Sequence, residues 1–148
     1  MLKITIGSDH AGFCLKNLII SRFKSVTFTD AGTYSEESCD YPDYALSVGR
    51  AVVNGEADFG IVICGTGIGA SIAVNKVKGI RAALCLSEFM AEKSRQHNNA
   101  NVLVLGARVT GDSLALSIVE KWLAASFEGG RHQTRIDKIS AIEDSLGR

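Results

Sequence analysis

A thiol, a hydroxyl and three glycines at alternate positions fall within six residues, Cys64-Gly65-Thr66-Gly67-Ile68-Gly69, the stretch of the chain best equipped for chemistry. Glycines there let a loop turn sharply and bring the backbone N–H groups of Gly65, Gly67, Ile68 and Gly69 close to a ligand. A helix starting near Thr66 adds unpaired N–H groups and the positive end of its dipole. Such a loop attracts an anion or a developing oxyanion. Cys64 and Thr66 are its only side chains with reactive chemistry, and a thiol beside a helix N-terminus has its thiolate form favoured. Cys64 is the first candidate for a reactive group.

The elements that must position this loop read as an alternation of strands and helices. The apolar run Phe59–Ile63 predicts a strand buried on both faces and ending at Cys64. Before it, Leu2–Gly7 predicts a strand leading into Ser8-Asp9-His10-Ala11-Gly12. Leu15, Leu18, Ile19 and Phe23 recur at helical spacing, and Val26–Thr29 is a second strand. A helix starts near Pro42, where proline suits the first turn, and Tyr44, Ala45, Val48 and Val52 form its inner stripe. After the central loop, Ile80–Leu84 and Val102–Leu105 are predicted strands separated by a helix over 88–97. Leu114, Ala115, Ile118, Val119, Trp122 and Leu123 mark a further helix, and Ile136, Ile139, Ile142 and Leu146 mark a last amphipathic one. This pattern implies an α/β fold, a three-layer α/β/α Rossmann-like domain with a five-stranded parallel sheet and a C-terminal helix. Ligands of such sheets sit at the carboxyl ends of the strands, so the Ser8–Gly12 and Cys64–Gly69 loops face one crevice if their strands are neighbours.

Composition narrows the partners. A chain of 148 residues, 46% hydrophobic, fits a single domain over 1–148. Lys plus Arg and Asp plus Glu balance at 16 each without a run of one sign, which leaves no footprint for nucleic acid or an acidic membrane surface. No apolar run approaches a membrane span and no signal-peptide pattern opens the chain, so the expected setting is cytoplasmic. The four cysteines, at 14, 39, 64 and 85, lack Cys-x-x-Cys spacing, so reduced thiols are expected, with no metal and no disulfide framework. Cys14 and Cys85 read as small core hydrophobes.

The glycine loop has a second reading. Gly65-x-Gly67-x-x-Ala70 matches the relaxed dinucleotide-binding fingerprint, with Glu88 at about the spacing of a ribose-binding acid. Against it, the loop follows the third strand rather than the first, and no Gly-Lys-Ser/Thr follows to make a Walker loop.

Seven segments taken together resemble the ribose-5-phosphate isomerase B family, which is grouped with galactose-6-phosphate isomerases. They are Gly7-Ser-Asp-His-Ala-Gly12, Asp40-Tyr-Pro-Asp-Tyr-Ala45, Ile63-Cys-Gly-Thr-Gly-Ile-Gly69, Asn75-Lys-x-x-Gly-Ile-Arg-Ala82, Ser94-Arg-Gln-His-Asn98, Asn101-Val-Leu-x-Leu-Gly-x-Arg108 and Phe127-Glu-Gly-Gly-Arg-His132. The resemblance covers nearly the whole chain and implies a cofactor-free, metal-independent aldose–ketose isomerase of phosphorylated sugars in the pentose phosphate pathway. Ribose 5-phosphate and ribulose 5-phosphate are the implied pair, with allose or galactose 6-phosphate as alternatives.

That reaction opens a furanose ring, moves a proton between C2 and C1 through a cis-enediolate, and holds a phosphate. By resemblance Cys64 is the C–H base; one branch of the family uses a glutamate instead, at a position that falls near Ala70 here. His97 is the implied acid at the ring oxygen, with Asp9 or Thr66 acting at the anomeric hydroxyl and Asn98 binding a sugar oxygen. Arg131 and Arg135 stand four apart on a helical segment and offer two forks to a phosphate, joined by His10 and Arg108. Blander roles compete. Asp9 and His10 could form an Asx-type turn capping the first helix, His97 could merely complement a helix dipole, and the two arginines could be a solvated face. The family also implies homodimers, sometimes paired into tetramers. Arg131 and Arg135 are expected to reach a neighbouring subunit, while the glycine loop, the Asp9–His10 loop and the His97 segment share one domain's strand ends.

Overall fold

The computed structural model describes residues 1–147. Five parallel strands alternate with helices: β1 (Leu2–Ser8), α1 (Phe13–Arg22), β2 (Val26–Asp30), α2 (Tyr41–Val53), β3 (Phe59–Cys64), α3 (Ile68–Val74), β4 (Ala82–Leu84), α4 (Glu88–Gln96), β5 (Val102–Gly106), α5 (Asp112–Ala124) and α6 (Arg131–Ser145). A short 3₁₀ turn, His10–Gly12, joins β1 to α1. The sheet order is β2-β1-β3-β5-β4. The chain reverses direction of travel between β1 and β3, which pair from Ile4 with Phe59 to Ser8 with Ile63, and a ligand crevice belongs at such a switch point.

Two apolar layers cover the sheet. Ile4, Ile6, Ile61, Ile63, Leu103 and Leu105 face Leu15 and Ile19 of α1, Ala91 of α4 and the Ala115, Ile118, Val119 and Trp122 stripe of α5. Val62, Cys64, Val102 and Val104 face Ala45 and Val48 of α2 and Ala70 and Val74 of α3. The alternation along β3 and β5 is the period-two consequence of strand geometry, with every second side chain sent to each helical layer. It also sends the Cys64 side chain to the α2–α3 side.

The predicted fold is the observed one, with local differences. The strand expected over Ile80–Leu84 shrinks to Ala82–Leu84 at the edge of the sheet, because Asn101 pairs with the Arg81 N–H through its side chain and Ile80 is buried outside the ladder. The helix expected near Thr66 begins at Ile68, since Gly67 before it takes a left-handed φ of 79°. Leu114 and Cys14 are exposed, not core, and the Cys14 thiol lies against Glu36. On α6 only His132 and Ile136 are buried, while Ile139 and Ile142 face outward. Lys16 is the reverse surprise: it is wholly buried on α1, paired with Asp30 and donating to the Thr33 carbonyl. A charge taken from water needs such partners, and here they fasten the segment after β2.

Candidate functional site

The strand ends gather one set of residues. Cys64, at the last position of β3, is buried, and the Gly67 N–H donates to its Sγ at 3.2 Å. The Thr66 hydroxyl accepts from the Ile68 N–H at 3.2 Å. Two of the loop's expected oxyanion donors, the Gly67 and Ile68 N–H groups, are thus committed inside the loop, leaving those of Gly65, Thr66 and Gly69 outside these two bonds. The turn requires glycine at Gly67 for its positive φ, while a Cβ at Gly69 would have to push the Tyr41 ring aside.

The loop after β1 lies beside it. Asp9 Oδ1 accepts from the Ala11 and Gly12 N–H groups at 3.0 and 3.1 Å, so the Asx-type cap is present. The Asp9 N–H donates to the Ile63 carbonyl at 3.2 Å, which fixes the two loops against each other. His10 Nδ1 accepts from the Cys39 N–H at 3.2 Å. That bond places the neutral ring's proton on Nε2, making His10 a donor to a ligand. From the end of β5, the Arg108 N–H donates to the Gly65 carbonyl at 2.9 Å, and its guanidinium lies over Gly65. Asp9, His10, Cys64 to Gly69 and Arg108 therefore form one cluster. Tyr41, whose phenol sits against Gly69 at the start of α3, belongs to it as well; only its place in the Asp40–Ala45 segment hinted at this.

His97, Asn98, Arg131 and Arg135 are not in that cluster. α4 runs back along the sheet from the carboxyl end of β4, so its C-cap, His97, arrives at the opposite edge. The Arg95 guanidinium stacks over the Phe59 ring at 4.2 Å, and Asn101, just past His97, bonds through its backbone to Arg81 and Gly60. Phe59 opens the six-residue β3 that Cys64 closes, a span of about 16 Å at the rise of a parallel strand. The expectation that the His97 segment shares strand ends with the glycine loop in one chain is corrected accordingly. Helix direction, which residue spacing alone does not reveal, is the reason.

This second cluster has its own geometry. The His97 and His132 rings stack with centroids 4.2 Å apart and planes 9° from parallel. Glu128 Oε2 lies 3.8 Å from His97 Nε2 and 3.7 Å from His132 Nε2. The three residues bring one ligand-type atom each within 4.8 Å of one another, a convergence that the sequence spacing does not announce. Arg131 and Arg135 are exposed one turn apart in the first half of α6. Burial, then the neighbouring His97, Arg131 and Arg135 cations, hold the His132 imidazole below the usual histidine range, against the opposing pull of Glu128.

The other thiols contrast with Cys64. Cys85 is buried beneath α4, and burial raises its pKa to about 11 despite a hydrogen bond with Ser94. It is an inert core thiol. The dinucleotide reading fails on topology: the strand following the loop's helix is β4, which β5 separates from β3, and Glu88 sits in the first turn of α4. No described helix is long and apolar enough to cross a membrane.

A thiol among backbone donors, with His10 and Arg108 in the adjoining loops, is an arrangement suited to carbon-acid chemistry on an anionic substrate, and the chain is similar to known proteins over nearly its full length. The Ribose/Galactose Isomerase family matches residues 4–139. This chain belongs to that family. Ribose-5-phosphate isomerase B of Escherichia coli (strain K12) is 53% identical over 145 residues, 97% of each chain. The structure of the Clostridium thermocellum ribose-5-phosphate isomerase B superposes with a TM-score of 0.97 at 56% identity, covering 98% of this chain and 99% of that one. The Mycoplasma genitalium isomerase, whose crystal structure holds ribulose 5-phosphate, superposes at 0.90 with 48% identity over 97% of each chain. Ala70, where the resemblance would put the glutamate of one branch of the family, is fully buried on α3.

Proposed function

We propose that this chain is an aldose–ketose isomerase that interconverts ribose 5-phosphate and ribulose 5-phosphate. The observation that carries the reading is the Cys64 thiol, held at a strand end by the Gly67 N–H in a chain about half identical to ribose-5-phosphate isomerases over nearly its full length. His97 gives a proton to the ring oxygen while Asp9 or Thr66 takes the one on the anomeric hydroxyl, and the C1 aldehyde is released. The Cys64 thiolate then removes the proton on C2. Electrons move into a C1–C2 enediolate, whose oxygens the Gly65 and Thr66 N–H groups and the Thr66 hydroxyl stabilise. Return of the proton from the thiol to C1, with the O2 hydroxyl proton passed to O1, completes the ketose. Preorganised donors count for most in a water-poor site, and a general base contributes about 10²–10⁴-fold. His10, Arg108, Arg131 and Arg135 hold the phosphate, and Asn98 a sugar oxygen.

These roles require the two clusters to meet, and a second copy of the chain supplies the missing half. The homodimer places His97, Asn98, Arg131 and Arg135 of one protomer over Cys64, Asp9 and His10 of the other. Outward-facing Ile68 and Ile72 on α3 and Ile139 and Ile142 on α6 give both halves an apolar surface for that contact. The setting is cytoplasmic and the pathway is pentose phosphate metabolism. The test is formation of ketose from ribose 5-phosphate, run beside allose and galactose 6-phosphates. The highest kcat/KM is expected on the five-carbon sugar; preference for a six-carbon one would move the assignment within the family. NAD binding without isomerisation would reject it.

A further inference from the structure

His97 is the implied ring-opening acid, yet it lies on an exposed helix end, where a side chain would ordinarily sample several rotamers. Two residues outside the roles assigned above constrain it. The His132 ring covers one face of His97 at 4.2 Å and is itself buried in the first turn of α6. Glu128 reaches both imidazoles from the 125–130 connection, and its N–H donates to the Gln96 carbonyl at 3.0 Å. That backbone bond ties the carboxylate to the residue immediately before His97. We propose that Glu128 and His132 are positioning residues for His97: the His132 ring fixes its plane, and the Glu128 carboxylate holds the proton on it. The proposal rests on the reading of His97 as the acid that opens the sugar ring.

Several observations bear on how the two imidazoles share a proton. Two imidazolium rings cannot stack face to face without strong repulsion, so one stays neutral. His132 is buried, stands at the positive end of the α6 dipole, and is flanked by Arg131 and Arg135, all of which disfavour its protonation. His97 stands at the C-terminal end of α4, where the dipole favours a cation, and is one-third exposed. The other cation nearby on α4, Arg95, turns away to the Ala100 carbonyl and the Phe59 and Trp122 rings, while Lys93 pairs with Gln96 and Glu92. Glu128 is thus the one carboxylate within 4 Å of His97 among the described residues, and so the group placed to steady a proton there. The trio has metal-binding composition, but near-parallel stacked rings aim their nitrogen lone pairs along separate planes, so a single ion cannot lie on both. The geometry suits a held proton.

The test uses the full-length assembled enzyme and the variants H132A, H132F, E128Q and H97N. H132A is expected to abolish the ring-current shift of the His97 Cε1 proton and to slow turnover of cyclic ribose 5-phosphate about tenfold or more, with KM little changed and open-chain ketose turnover less affected. H132F, which keeps a flat ring, is expected to restore both, and it carries the test if H132A does not fold. E128Q is expected to keep the ring-current shift yet lose turnover of the cyclic sugar selectively. Folded H132A and E128Q with wild-type rates on the cyclic sugar would overturn the proposal, as would equal losses on both sugar forms in H132F. H97N separates the two readings: if it retains cyclic turnover, the role of His97 as acid falls; if it alone loses it, only the positioning proposal falls.

Discussion

The two clusters are built in opposite ways. Around Cys64 the backbone does most of the work: loop N–H groups and carbonyls of three adjacent strand ends bond to one another, and the reactive side chain is buried. Around His97 side chains do it, with two rings stacked, one carboxylate shared, and two arginines exposed on a helix. The first half is suited to stabilising charge that develops during reaction, because its donors are fixed before substrate arrives. The second is suited to gripping a phosphate and delivering a proton from the solvent side. In the proposed reaction neither half performs the isomerisation alone, and the sheet holds them about 16 Å apart or more in one chain.

Removing the reactive atom of the first half is expected to have the largest effect. Cys64→Ala loses about 10²–10⁴-fold or more in kcat, while ribulose 5-phosphate still raises its melting temperature, since the phosphate contacts remain. Near-native turnover in steady-state assays would break the assignment. On the second half, His97→Asn is expected to slow cyclic ribose 5-phosphate far more than the open-chain ketose. A stopped-flow comparison of the two directions measures this, and equal losses would remove ring opening from its tasks. Arg135→Ala is expected to raise KM by about ten- to a hundredfold, the worth of a charge-assisted hydrogen bond of about 1.5–3 kcal/mol, with a smaller change in kcat. The smallest effect is reserved for chelation: dialysis against a strong chelator leaves kcat unchanged, and activity restored by added zinc would convert the His97–Glu128–His132 trio from proton holder to metal site.

The same contrast explains what the sequence revealed. The strand-end cluster was legible because Cys64 ends one predicted strand and Asp9 lies just past another, so their position on the sheet is settled once the runs are read as parallel strands. The fold and the burial of Ile61, Val62, Ile118 and Trp122 followed from the same periodicities. The site of His97 was not legible, because it depends on how far α4 travels before the chain turns back, and β4 lies at the edge with β5 inserted between it and β3. Tyr41 and His132 were hidden for a related reason: each reaches its partner, Gly69 or His97, across elements distant in sequence. Lys16 escaped because a lysine within an apolar helical stripe reads as solvent-facing until its partner Asp30 is seen. The outward isoleucines of α6 matched an amphipathic pattern, yet among the described residues they stay exposed.

That a working site joins the halves of two protomers is tested most directly by subunit complementation. Cys64→Ala chains, which keep His97 and the arginines, are mixed and re-annealed with His97→Asn chains, which keep the thiol, and heterodimer formation is verified by native mass spectrometry. With random pairing, half the dimers are mixed and each has one intact site of two, so cyclic ribose 5-phosphate turnover is expected to rise from the parental background to about a quarter of the wild-type value. Verified heterodimers no more active than their parents would place Cys64 and His97 in the same working site of one chain and contradict the account.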